Sequence, residues 1–115
     1  MSTVKAVLVS AKELIKKGWT QGSGARDAQM HPCNDTHENA VCYCALGALN
    51  RAEHEAGKAT FNRYEIAYGL LNNEVRKRTK QGSILAYNDA SERTVEDVLS
   101  LFDAAIMKAP QETTE

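Results

Sequence analysis

The stretch Cys42-Tyr43-Cys44-Ala45-Leu46-Gly47-Ala48-Leu49 constrains the fold more than any other part of the chain. It is apolar and crowded with small residues, so another element can approach its backbone closely, and it holds two of the three cysteines. As packing it is the centre of a helical core; as chemistry it suggests a thiol or metal site. Its periodicity extends to both sides. Ala40, Val41, Cys44, Ala45, Ala48, Leu49 and Ala52 fall on one helical stripe. Asp35 followed three places on by Glu38 makes an acidic capping box before them, and Gly57 marks the end.

Three more segments carry a helical period. Val4, Val7, Leu8, Ala11, Leu14 and Ile15 form the apolar face of a first helix that Gly18 ends. Thr60 is the expected cap of a third, with Phe61, Tyr64, Tyr68, Leu71 and Val75 inward and Gln81-Gly82 at its close. The last starts at Thr94, turns Val95, Val98, Leu99, Phe102, Ala105 and Ile106 inward and stops before Pro110. Residues 21–34 have no period and are rich in turn formers, which predicts a long loop of the kind that is more often functional than accidental. Residues 83–90 predict a short extended piece, Ile84-Leu85-Ala86-Tyr87, and then a turn at Asn88-Asp89. The expected fold is therefore all-α: one domain of four helices over residues 1–110, with a polar tail at 111–115.

Composition narrows the function classes. With 43% apolar and 25% charged residues, 115 residues suffice for a core of their own. A formal charge of −1 argues against a dedicated binder of duplex nucleic acid, which needs a basic excess. No apolar run approaches the ~20 residues that span a bilayer, so no membrane association is expected. The first residues lack the order of a secretory signal, and three cysteines are an odd number for a disulfide framework. These features predict a cytoplasmic protein.

Three constellations compete for chemistry. His31, Cys33, His37, Cys42 and Cys44 are metal-ligand types, but Cys42 and Cys44 would lie ~200° apart on one helix, and the spacing matches no zinc module. No metal and no cofactor is expected. Cys44 as a nucleophile would lie two turns inside the helix on its apolar face, where burial raises a thiol pKa, so a packed core cysteine is the simpler account and no catalytic residue is assigned. Trp19, Thr20, Gln21 and Arg26, close to Lys16-Lys17, could stack a base and hold a phosphate, and the exposed groups of Asn88 and Asp89 could add to that site. These six are the candidate ligand-binding residues; the competing account packs Trp19 into the core and pairs Arg26 with a carboxylate. The basic run Arg76-Lys77-Arg78 and Lys80 complements a helix C-terminus and reads as a solvated face.

Several blocks together resemble a known family. They are Gly18-Trp19-Thr20-Gln21-Gly22 with Ala25-Arg26-Asp27; Cys44-Ala45-Leu46-Gly47-Ala48-Leu49; Tyr87-Asn88-Asp89-Ala90 with Arg93-Thr94; and Leu101-Phe102-Asp103-Ala104-Ala105-Ile106. In order and spacing they resemble the small bacterial and phage proteins of domain-of-unknown-function family 6197. The chain departs from that pattern at Tyr43, where the family often has Trp, and at Ala28-Gln29-Met30, where it often has glycine. The resemblance implies no activity and no catalytic residue. It implies a setting of small accessory proteins that work by binding. The leading expectation is a non-enzymatic anti-defence protein that sequesters a nucleotide-derived messenger; the alternatives are an inhibitor that docks on a host protein and, third, a cysteine hydrolase or metal-binding protein. Self-association into a homo-oligomer is compatible with each.

Overall fold

The computed structural model describes residues 3–58, 62–80 and 82–110. Helix α1 (Val4–Lys17) comes first, followed by three two-residue strands, β1 (Ala25–Arg26), β2 (Pro32–Cys33) and β3 (Cys42–Tyr43). Helices α2 (Ala45–Ala56), α3 (Arg63–Arg78), α4 (Ile84–Asp89) and α5 (Val95–Lys108) complete the chain. The fold is mostly helical, with five helices and a small sheet among the described residues. The all-α, four-helix expectation is right in outline and corrected in two places.

The first correction is the start of α2. Residues 35–44 are not helical: Cys42 and Tyr43 pair with Arg26 and Ala25, and Cys44 is the N-cap. Asp35 caps nothing there. Its Oδ2 accepts from Asn50 Nδ2 at 3.1 Å, and Arg51 donates to the Asp35 and His37 carbonyls at 3.2 and 2.8 Å. Two polar side chains of α2 thus hold a loop where a helical pattern predicted another turn. Because Cys42 and Cys44 do not share a helix, the ~200° argument does not apply to them.

The second correction is α4. The sequence pattern predicts an extended piece at 84–87 and a turn at Asn88-Asp89, yet both lie in α4, where Ser83 caps the first turn by accepting from Ala86 N at 3.1 Å. Leucine, alanine and isoleucine in so short a run carry no period to tell strand from helix, and the capping serine decides it. The expected loop at 21–34 also contains β1 and β2, joined in an antiparallel sheet of order β2-β1-β3.

Helices α1 and α5 follow their sequence signals. Thr3 caps α1 and accepts from Ala6 N at 3.0 Å, and Val4, Val7, Leu8, Ala11 and Ile15 are buried. Gly18 ends α1 without a left-handed residue, since its φ is −175°. Glycine is required for another reason: a Cβ there would meet Val41 O at 2.6 Å and Cys42 Cβ at 2.9 Å. Thr94 and Asp97 form a reciprocal capping box at the start of α5.

On α3 the buried face is Arg63, Ala67, Leu71, Glu74 and Val75, so the expected aromatic stripe is displaced. Tyr64 is half-buried and Tyr68 is exposed, while Thr60, Phe61, Gln81 and the tail 111–115 lie outside the described residues. Two buried charges turn the helix this way. Arg63 donates to both Glu53 oxygens, at 3.0 and 2.8 Å, and to Gly57 O. Glu74 accepts from Lys108 at 2.5 Å and Lys77 at 3.4 Å. A buried carboxylate that lost its charge would forfeit these partners.

Glu74 is held below its ordinary value of 4.5, first by the hydrogen bond from Lys108, and Lys108 is raised above 10.5 by the same bond. The depressed carboxyl contributes stability above pH 4.5 that is lost as pH falls through its folded value. The raised ammonium contributes below 10.5 and is lost above that. Acid unfolding followed by circular dichroism should therefore begin at higher pH in Lys108→Met than in the native chain.

Candidate functional site

The six candidate ligand-binding residues lie up to 70 positions apart in sequence, and the structure brings them into one hydrogen-bonded knot. Asn88, in α4, is fully buried and sits at its centre. Its Oδ1 accepts from Trp19 Nε1 at 2.7 Å and from Ala45 N at 2.9 Å. Its Nδ2 donates to Thr20 O at 3.1 Å and to Asp89 Oδ1 at 2.9 Å. Every donor and acceptor of the carboxamide is thus used.

Around it, Gln21 Nε2 donates to the carbonyls of Asn88 and Ala90 at 2.9 and 3.0 Å. Gly22, at φ +81°, donates its N–H to Asp89 Oδ1 at 3.1 Å. Arg26 donates to Thr20 Oγ1 at 2.9 Å, Gln21 O at 3.1 Å and Met30 O at 3.2 Å. Among the described residues it pairs with no carboxylate, and three of its donors hold backbone and hydroxyl groups of its own loop. Trp19 is half-buried and packs against the core.

The knot also closes the N-terminus of α2. Cys44 N donates to Gly24 O at 3.1 Å, Ala45 N to Asn88 Oδ1, and Gly47 N to Cys44 Sγ at 3.2 Å. Gly24 lies directly on this turn, since a Cβ on Gly47 would be 1.9 Å from Gly24 O. The amides that could hold an anion are occupied by the protein itself. Cys44 is 1% exposed, and burial pushes its thiol up against the smaller opposing effect of the Gly47 and Leu46 amides. Its position at a helix N-terminus is one that activates thiols elsewhere; here desolvation outweighs it.

The metal-type residues do not converge. Cys33 lies on β2 and Cys42 on β3, with β1 between them, so their strands are about 10 Å apart. His31 is exposed, and His37 Nδ1 accepts the Asn39 N–H at 3.0 Å. Among the described residues no three His, Cys, Asp or Glu could share an ion.

Arg78, from the basic run, is a clamp rather than a free cation. It donates to Tyr87 Oη at 3.1 Å and to Ser100 O and Oγ at 3.2 and 3.1 Å. Arg93 lies 3.8 Å from the centre of the Tyr87 ring and donates to Tyr87 O at 2.6 Å. Together they fix α4 between α3 and α5.

What the sequence reading missed lies at one end of the sheet. Asp27 follows β1 and Val41 precedes β3, with Val41 N donating to Arg26 O at 2.9 Å. An open cleft of about 410 Å³ there is lined by Asp27, Ala28, Gln29, Glu38, Asn39 and Val41. Asp27 Oδ1 accepts from Gln29 N and His31 N, both at 3.0 Å, which fixes the β1–β2 turn. In that turn Met30 adopts a left-handed φ of +66° and is 56% exposed. Val41 is 49% exposed. One signal was visible in the sequence: from position 27 to position 50 the chain has no Lys or Arg, but has Asp27, Asp35 and Glu38.

The model of the family of unknown function DUF6197 matches residues 1–108. The chain belongs to that family. Searches of curated proteins and of solved structures found no match. The DUF6197 match runs from α1 to the end of α5, so the knot and the cleft both lie within it. No helix among the described residues is long and apolar enough to cross a membrane.

Proposed function

We propose that this DUF6197 protein is a non-enzymatic, cytoplasmic accessory protein of phage or bacterial type that docks on a host protein through the sheet end around the cleft. The observation that carries this reading is the knot. An irregular segment with exposed Met30 and Val41 is held in one conformation by Arg26, Gln21 and Asn88. A surface fixed in advance loses little conformational entropy on binding, which favours its use in recognition. The buried, protonation-prone thiol of Cys44 speaks for a packing role and against the hydrolase alternative.

Sequestration of a nucleotide-derived messenger is the second reading, favoured by the meeting of Trp19, Thr20, Gln21, Arg26, Asn88 and Asp89. It ranks below the first because Trp19 Nε1, three Arg26 donors and the α2 amides already have protein partners. An anion would have to displace them.

A photo-crosslinking residue placed in turn at Gln29, Asn39 and, on the exposed part of α3, Glu65 tests both. One host protein captured from bacterial cells at the first two positions and not at Glu65, and then co-eluting stoichiometrically with the purified chain, is the expected result. No capture at Gln29 or Asn39, together with saturable heats on titration with cyclic dinucleotides or ADP-ribose, would reverse the order.

A further inference from the structure

We infer that the partner segment seated on this face is basic and apolar, placing a lysine or arginine in the cleft and an aliphatic side chain over Val41. This deepens the docking reading and rests on it. The argument is charge and shape complementarity. Asp27, Glu38, Gln29 and Asn39 line the cleft, and its described lining includes no basic residue. Their side-chain oxygens are acceptors for a cation's N–H groups, whereas an acidic segment would meet like charge. No Lys or Arg occurs in the sequence between Arg26 and Arg51.

The two bordering arginines are turned to other work. Arg26 holds Thr20, Gln21 and Met30, and Arg51 holds Glu55 and the carbonyls of Asp35 and His37. Glu38 is exposed, and the only Asp27 oxygen engaged in the turn is Oδ1. The apolar component comes from Val41 within the cleft and Met30 at the same end of the sheet. An aliphatic stem of lysine or arginine suits such a border, because it covers apolar surface while its head reaches the carboxylates.

The test uses the full chain and three fluorescein-labelled peptides of equal length, rich in Lys and Leu, in Glu and Leu, or in Ser and Gly. Fluorescence anisotropy is read for the native chain and for Glu38→Lys, Val41→Ser and the distant control Glu65→Lys. The expected result is saturable binding of the Lys/Leu peptide alone. Its Kd should rise about tenfold in Glu38→Lys, by a smaller factor in Val41→Ser, and stay within twofold in Glu65→Lys, since a single direct charge contact is worth roughly this much. Equal loss in Glu38→Lys and Glu65→Lys would reduce the effect to overall charge and overturn the inference, as would equal binding of the acidic peptide or none of the basic one. The two proposals fail separately. Capture of a host protein at Gln29 with no preference for the basic peptide removes only the partner's chemistry; no capture there removes the docking face.

Discussion

Gly47→Ala is expected to destabilise the protein by about 3 kcal/mol or more, at the upper end of what overpacking costs. The added methyl would be 1.9 Å from Gly24 O and 2.7 Å from Gly24 C, backbone atoms that no rotamer change can move aside. To make room, residues 22–25 must withdraw from the first turn of α2. That breaks the bond from Cys44 N to Gly24 O and strains the adjoining pairing of Ala25 with Tyr43. For a domain of this size the loss is a large part of a total of roughly 6–17 kcal/mol, and corresponds to a fall in Tm of about 10–15 °C. Gly69→Ala is the control. Nothing lies within 4 Å of a Cβ there, so alanine should be neutral or stabilise the interior of α3 by up to ~1 kcal/mol. Thermal melts of the two variants beside the native chain check both signs. A Gly47→Ala protein within 1 kcal/mol of native would mean that the loop does not rest on this helix.

The same contact explains where the sequence misleads. Small residues at Cys44, Ala45, Gly47 and Ala48 signal close approach, and close approach is what they provide. At Gly47 the partner is the backbone of Gly24, which meets the first turn of α2, while α1 packs along the same helix. Helical periodicity at Ala40 and Val41 is a chance continuation. It is overridden by pairing of β3 with β1, which a two-residue strand cannot announce by alternation.

Where local chemistry decides, the reading succeeds. Thr94 as the start of α5, Gly18 as the end of α1, and the buried faces of α1 and α5 are legible, because caps and a 3.6-residue period act within a few residues. The face of α3 is not. Arg63 and Glu74 are buried beside partners on other elements, Glu53 and Lys108 among them, and a pattern counting apolar residues cannot see such partners. At the site, the sequence points to Trp19, Thr20, Gln21, Arg26, Asn88 and Asp89 as a ligand-binding group. The structure brings them together while showing their polar atoms bonded to one another. The sheet end escaped notice because its one signal, a long gap in Lys and Arg, is a feature of residues that are missing.

The side chain on which this arrangement turns is Asn88, and Asn88→Ala is expected to cost about 3–5 kcal/mol. Alanine leaves the Trp19 indole N–H, the Ala45 amide and the Thr20 carbonyl without the partner they have inside the protein. Each buried group left unpaired costs roughly 1–3 kcal/mol, and the three are not additive because they share one site. Asp89 is exposed and can turn to water, so its lost bond adds little. Asn88→Asp should not rescue. It keeps an acceptor for Trp19 and Ala45 but replaces the donor with an oxygen facing Thr20 O and the Asp89 carboxylate. Trp19→Phe, by contrast, removes one donor and should cost less than either. Denaturant midpoints measure the order, and the single tryptophan of the chain supplies a local probe. With Asn88 gone, native-state Trp19 emission should move to longer wavelength and amide exchange should quicken at residues 20–26 before it does in α1 or α5. Uniform acceleration across the chain would make Asn88 one more core residue. Selective loss at 20–26 would show it to be the pin that holds the sheet end in the shape on which the docking face depends.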